Sequence, residues 1–469
     1  MPPVSKTANL TLSALGIKRA PWIAVVLLAL TACESENAPP VVLDAPPAAT
    51  PGATDPEAPN EAQESDDGAP SAGDPDAVGD EPEPGPVGGA HGELDGEDPD
   101  PPAAQTPGRR QGPARRIFIR DAEARGAVCN DGSPAAYYAR PGVGADRDRW
   151  IIFLEGGGGC STPEECVRRW NPNNTDRMSS RTYPETLALA DGLFSDDPTL
   201  NPRFRTWTHV FVRYCSSDYY VGNRADRQPA CVGGQCPRAP YPADGWYFRG
   251  HRIITALLED LADAPAGAPK LGDAAEVIWA GCSAGSLGAQ RTLDAAAEFI
   301  QAQAVDREVP VAGLFDAAWR PRNPTREIDQ VRATSGAALA MWDGVLDESC
   351  AAETDNDPLC LRSDFLEAHL QAPFFVFMDQ VDSYILGDAP PATADQETWS
   401  FLAQQVRDEL APLPGVFCPQ NNWHCATRAT PRYYLEDEDG ISLSRVFNNW
   451  YFELDGPTRY IDETPFPWE

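Results

Sequence analysis

The stretch from Glu276 to Ala302 constrains this chain more than any other. Glu276-Val277-Ile278-Trp279-Ala280 is a short apolar run of strand length, and its unbroken hydrophobicity predicts burial on both faces of a sheet. From Ser286 onward the apolar residues recur near helical spacing. Only Gly281-Cys282-Ser283-Ala284-Gly285 lies between, so strand and helix must meet in a very tight turn. Such a turn forces its central residue into a sparsely populated backbone conformation and requires small neighbours. It projects the Ser283 hydroxyl beyond the C-terminal end of the strand, beside a helix N-terminus that favours developing negative charge. An ordinary helix cap is the plainer reading of a serine here; the buried strand and the flanking glycines weigh against it. Cys282 is expected to point away from the tip and pack.

Other segments alternate in the same way. Strands are predicted at 150–154, 208–213, 276–280 and 374–378, and helices at 249–261, 286–302 and 397–410. Buried strands alternating with helices imply an α/β sandwich with a mostly parallel central sheet. Residues 115–469 are expected to form this domain. Residues 34–114 are rich in Pro, Gly, Ala, Asp and Glu, and from Glu34 to Gly108 there is no Lys or Arg. That composition cannot bury enough apolar surface to offset its ordering entropy, so a disordered, self-repelling tether is expected. The formal net charge of -34 opposes binding to nucleic acid or to an anionic membrane surface.

Lys18 and Arg19 precede an apolar run from Trp22 to Leu30, too short to span a bilayer and suited to an export signal. It ends in Leu30-Thr31-Ala32-Cys33, which resembles the lipobox of bacterial lipoproteins. The expectation is a signal peptide over 1–33, lipidation of Cys33, and a protein facing the periplasm or cell exterior that meets a membrane only through that anchor.

In such a compartment disulfides persist. Of twelve cysteines, ten remain once Cys33 and Cys282 are set aside. Short loops suggest Cys160–Cys166, Cys231–Cys236, Cys350–Cys360 and Cys418–Cys425, leaving Cys129 with Cys215. The spacings lack the paired two-residue gaps of zinc ribbons and there are five His, so no metal is expected.

A serine at such a turn needs a base. His91 lies in the tether, His209 in an apolar strand, His251 in the first turn of a helix and His369 in a helical stretch; packing or surface roles suit all four. His424 stands in the loop Cys418-Pro-Gln-Asn-Asn-Trp-His-Cys425 near the C-terminus, where the chain order Ser, Asp, His places a base. The orienting acid must lie between, and Asp382, Asp379 and Asp316 all compete for that role by following strand-like runs. Leu154-Glu155-Gly156-Gly157-Gly158-Gly159 follows an early strand and fits a glycine-rich loop whose amides approach a substrate closely. Ala284 would supply a further N–H.

With these residues placed, the chain resembles the pectin acetylesterase family, and within it the Notum branch of secreted carboxylesterases. The resemblance rests on Cys129-Asn-Asp-Gly-Ser-Pro-Ala-Ala-Tyr-Tyr138, Arg149-Trp-Ile-Ile-Phe-Leu-Glu-Gly-Gly157 with Cys160, Tyr214-Cys-Ser-Ser-Asp218, Phe248-Arg-Gly250, Gly281 to Gly285, and Phe315-Asp-Ala-Ala-Trp319. These blocks keep the family's order, and the match weakens after Trp319. The resemblance implies an α/β-hydrolase fold, Ser283 as nucleophile, Asp382 as acid, His424 as base, and Gly157, Gly158 and Ala284 as oxyanion donors, with no cofactor. Asp316 would then be structural. Gly158 stands where the Notum branch has an aromatic residue, so a long acyl chain is not implied. The expected activity is removal of acyl groups, chiefly acetyl, from an extracellular polysaccharide by a monomer. A polyanionic polysaccharide would require a local basic groove, for which Arg213, Arg224 or Arg249 are candidates. A lipid or lipoprotein esterase and a catalytically silent binding lipoprotein are the alternatives.

Overall fold

The computed structural model describes residues 112–173, 177–265, 268–322, 326–386, 396–437 and 439–466. Cys33, His91 and almost all of the expected tether lie outside the described residues. Among the described residues, ten strands form a single sheet: β1 (Ala114–Phe118), β2 (Ala136–Arg140), β3 (Arg149–Leu154), β4 (Thr186–Leu187), β5 (Thr208–Val212), β6 (Glu276–Cys282), β7 (Val311–Asp316), β8 (Phe374–Phe377), β9 (Val416–Cys418) and β10 (Arg459–Ile461). Their spatial order is β10-β9-β8-β7-β6-β3-β5-β2-β1-β4. The strands from β10 to β5 run parallel, whereas β2, β1 and β4 form an antiparallel edge. The fold is a mixed α/β sandwich with a large, mostly parallel central sheet.

The period of two along the strands explains why their sequences are apolar throughout. Trp150, Ile152 and Leu154 of β3, with Val277 and Trp279 of β6, pack on one face with Ile253, Leu257, Leu293 and Ile300. Those partners lie in helices Gly250–Ala262 and Ala284–Gln303. Ile151, Phe153, Ile278 and Ala280 point to the other face, toward Phe194, Phe204, Val446 and Phe447. Both faces are covered, so each strand residue finds an apolar partner.

The chain passes from β3 outward to β5, then crosses back over β3 to β6 and continues toward β10. That reversal is a topological switch point, and the crevice above it is where open α/β sheets place their ligands. The C-terminal ends of β3 and β6 meet there, with Leu154 opposite Gly281. No helix among the described residues is long and apolar enough to cross a membrane.

The predicted strands and helices are all present within one or two residues of their expected ends. Strand β7 was not among the predicted ranges, because Gly313 interrupts the strand-like run before Asp316. The glycine is required by packing: a Cβ there would stand 2.7 Å from the ring of Phe315 and 2.9 Å from Phe374. Four of the expected disulfides are present: Cys129–Cys215, Cys160–Cys166, Cys231–Cys236 and Cys350–Cys360. The fifth pairing is corrected. Cys425 joins Cys282, 143 residues away in sequence, while Cys418 is a free, buried thiol. Cys418 ends β9 inside the apolar core, where burial pushes its thiol pKa up and leaves it inert.

The tight joint between β6 and its helix is the most demanding local feature. A Cβ on Gly285 would stand on the carbonyl of Leu154, and one on Gly281 would stand on the carbonyl of Gly285. Gly285→Ala is therefore expected to destabilise the fold by about 3 kcal/mol, the upper end of the range for overpacked cores, measured by denaturant unfolding. A loss below about 1 kcal/mol would show that β3 and the helix can separate without penalty.

Candidate active site

Ser283 sits between β6 and helix Ala284–Gln303 with φ 54° and ψ -122°, a conformation that side-chain-bearing residues rarely adopt. Its backbone N–H donates to the Asp316 carbonyl at 2.8 Å, so the neighbouring strand holds the strained turn. Gly156, two residues beyond β3, packs against the turn: a Cβ there would meet the Cys282 carbonyl at 2.6 Å and the Ser283 Cβ at 3.1 Å. The glycine loop and the serine turn thus touch. Gly157, with φ 124°, turns the loop away and leaves its backbone open to a close approach. Ala284 is the first residue of its helix, so its amide belongs to the turn with no intrahelical acceptor.

His424 lies in a loop with its ring largely covered, its side chain 16% exposed. Its Nδ1 is 2.6 Å from Oδ2 of Asp382, which is fully buried just beyond β8. The other Asp382 oxygen accepts from the Tyr384 N–H at 2.9 Å, and the Tyr384 ring lies against the imidazole at 4.7 Å between centroids. The imidazole is therefore fixed in direction, with Nε2 turned from the acid.

The competing carboxyls hold the same loop by other means. Asp379 accepts from the backbone N–H groups of Asn421 at 2.9 Å and Trp423 at 3.0 Å. Asp316 accepts from the Thr427 N–H at 2.8 Å and from the Thr427 hydroxyl. Only Asp382, of the three candidates, reaches the imidazole. The remaining described histidines are used elsewhere. His209 is buried against Arg140 and the Phe204 carbonyl, with its pKa pushed down to about 3 by burial. His369 pairs with Glu353, and His251 is half-buried in its helix with a lowered pKa.

The feature missed in the sequence is the covalent bond beside the site. Cys282, the residue before Ser283, is joined to Cys425, the residue after His424. Cys282 is packed as expected, but it is bonded. Local sequence offers no signal for this pair, because a short loop favoured Cys418 as the partner. One ring nitrogen of His424 and the two sulfurs lie within 4.8 Å of one another; joined as a disulfide, these sulfurs are not the thiolates that a metal would require.

The arginines expected to form a basic groove are occupied. Arg213 pairs with Glu155 at 2.9 Å, Arg249 donates to the Ala225 carbonyl and Arg224 to the Ala340 carbonyl. The guanidiniums beside the glycine loop are instead Arg177, whose Cδ lies 3.4 Å from the Cβ position of Gly157, and Arg169, 3.5 Å from that of Gly158.

Chemically, the arrangement places a strained serine, an acid-paired imidazole and a glycine loop in one crevice. That combination suits attack on a carbonyl with stabilisation of the resulting oxyanion.

Comparison with known proteins gives the family and the fold. The family model described as pectinacetylesterase matches residues 110–407, a span that includes Ser283 and Asp382 and stops short of His424. Palmitoleoyl-protein carboxylesterase notum2 of Xenopus laevis is 29% identical over 341 residues, covering 69% of this chain and 65% of that protein. Pectin acetylesterase 11 of Arabidopsis thaliana is 29% identical over 367 residues, covering 72% and 87%. The chain thus spans less than two thirds of the Xenopus protein and most of the plant one. The structure of the Drosophila Wnt deacylase Notum superposes with a TM-score of 0.63 at 24% identity, covering 76% of this chain and 97% of that one, which establishes the shared fold.

Burial pushes the carboxyls of Asp316 and Asp379 up to about 6, against hydrogen bonds that pull them down. An unfolded aspartate titrates near 3.8, so the folded chain holds these protons more tightly. Each group therefore weakens the fold as pH rises from about 4 through 6. Asp316→Asn keeps an oxygen for Thr427 and cannot ionise. Its stability relative to wild type should improve by about 1–3 kcal/mol between pH 4 and 7. A difference independent of pH, by denaturant unfolding, would show that Asp316 titrates normally.

Proposed function

The chain belongs to the pectinacetylesterase family, and on that premise we propose that it is a serine carboxylesterase in which Ser283 is the nucleophile, His424 the base and Asp382 the orienting acid. The observation that carries this reading is the 2.6 Å contact between His424 Nδ1 and Asp382, made beside a serine held at φ 54°. His424 Nε2 accepts the Ser283 hydroxyl proton as Oγ attacks the ester carbonyl. The amides of Gly157, Gly158 and Ala284 receive the oxyanion. The tetrahedral intermediate collapses, His424 returns the proton to the departing alcohol, and an acyl-enzyme remains. Water, deprotonated by His424, then releases the acid. Asp382 keeps the imidazole in the productive tautomer and balances its charge when it is protonated.

The substrate proposed is an acetylated polysaccharide outside the cell. Relatives named pectin acetylesterases support it, as does Gly158, which leaves the loop without a bulky side chain. Relatives named palmitoleoyl-protein carboxylesterases match at equal identity and favour a second reading, a lipid or lipoprotein esterase. Export and lipidation of Cys33 complete the proposal, with 34–114 as tether to a hydrolase domain over 115–469 that acts as a monomer and needs no cofactor.

Hydrolysis of p-nitrophenyl esters from acetate to palmitate tests both readings. Ser283→Ala and His424→Ala should each lower kcat about a thousandfold or more, and Asp382→Asn by a similar factor. Preference for acetate supports the polysaccharide reading; preference for palmitate transfers the case to lipid esters. Retained activity in Ser283→Ala would remove the serine mechanism altogether. Mass spectrometry of the mature protein should find a lipidated Cys33 at its N-terminus, and an unmodified Cys33 or a cleavage site beyond it would exclude the anchor.

A further inference from the structure

Two strands' worth of separation lies between the nucleophile and the acid. Ser283 follows β6, Asp382 follows β8, and β7 stands between them. Asp382 and Asp379 tie the His424 loop to the end of β8, and Ser383 does so too by donating its N–H to Asn422 at 3.0 Å. None of these bonds sets the distance from His424 to Ser283. Two others do. The Cys282–Cys425 disulfide runs from the residue before the nucleophile to the residue after the base. Asp316, whose backbone carbonyl accepts the Ser283 N–H, grips Thr427 two residues further on through its carboxylate. In register, Asp316 lies directly opposite Cys282, so both straps leave the same point of the sheet.

We propose that Cys282, Cys425, Asp316 and Thr427 form a clasp that positions His424 over Ser283, and that this positioning, beyond fold stability, sets the rate of acyl transfer. The inference rests on the serine-esterase reading and deepens it. All four are positioning residues, because the clasp acts through the imidazole. Without it the loop keeps its hold on β8, so the His424–Asp382 pair survives while the imidazole drifts from the hydroxyl. A displacement of about 1 Å costs on the order of a hundredfold in rate. Substrate binding, made at the glycine loop and crevice, does not depend on that distance.

The Cys282→Ala/Cys425→Ala double variant leaves no unpaired thiol from this bond and tests the clasp directly. On p-nitrophenyl acetate, well below its unfolding temperature, kcat should fall about 10- to 100-fold with KM within twofold. The midpoint of the pH–rate profile should stay unchanged, because Asp382 still holds His424. Cys231→Ala/Cys236→Ala, which opens a disulfide in a separate loop, should retain kcat within twofold. If the double variant does not fold, Thr427→Val decides: it keeps the disulfide, removes one of the two hydrogen bonds to Asp316, and should lower kcat about fivefold at constant KM. A folded double variant with kcat within twofold of wild type overturns the proposal, as does a Thr427→Val variant with unchanged kcat where the double variant is lost. Ser283→Ala, assayed alongside, separates the two claims. If it is inactive while the clasp variants are fully active, only the clasp fails; if it is active, the serine mechanism fails first.

Discussion

The site depends on three buried carboxylates that grip one irregular loop. Residues 419–427 lack a long helix or strand of their own, and a segment of that kind is ordinarily the most mobile part of a domain. Here Asp379 takes the amides of Asn421 and Trp423, Asp382 takes the His424 ring, and Asp316 takes Thr427. Burying a carboxylate is costly unless it is well hydrogen-bonded. Asp316 retains part of that cost, since its Oδ1 is buried without a hydrogen-bond partner. The loop gains order at the expense of the strand ends, and the imidazole gains a fixed direction.

The opposite side of the crevice is built by close backbone approach. β3 and β6 are neighbours, so the glycine loop after one meets the serine turn after the other. Gly156 and Gly285 are the residues that let them touch, and the hydrogen bond from Ser283 to Asp316 keeps the turn from relaxing. One aspartate therefore serves both halves: its carbonyl secures Ser283, and its carboxylate secures the far end of the loop that carries His424.

Much of this was legible in the amino-acid sequence because it rests on local pattern. The apolar run before Gly281, the small residues around Ser283 and the glycines after Leu154 leave little choice of conformation. The long helices showed their periodicity for the same reason. What stayed hidden is non-local. Asp316, Asp379 and Asp382 each follow a strand-like run and look alike in sequence; only the packing of the 419–427 loop shows that one reaches the imidazole and two reach backbone. Cys425 had a nearer partner in Cys418, seven residues before it, and chain proximity gave the wrong answer because β9 carries Cys418 into the core. The bounds of β7 were obscured by Gly313, which breaks the strand-like run before Asp316 and whose missing side chain makes room for two phenylalanine rings.

The bond between Cys282 and Cys425 also orders events in time. A chain made from its N-terminus presents the strand before Ser283 well ahead of the last loop, since 143 residues separate the two sulfurs. The bond can close only once Cys425 is present, so the chain between the two sulfurs is complete before the serine turn and the 419–427 loop are joined. A single covalent bond thereby ties the last loop of the domain to a turn at the centre of its sheet, and it can form only after everything between them has been made.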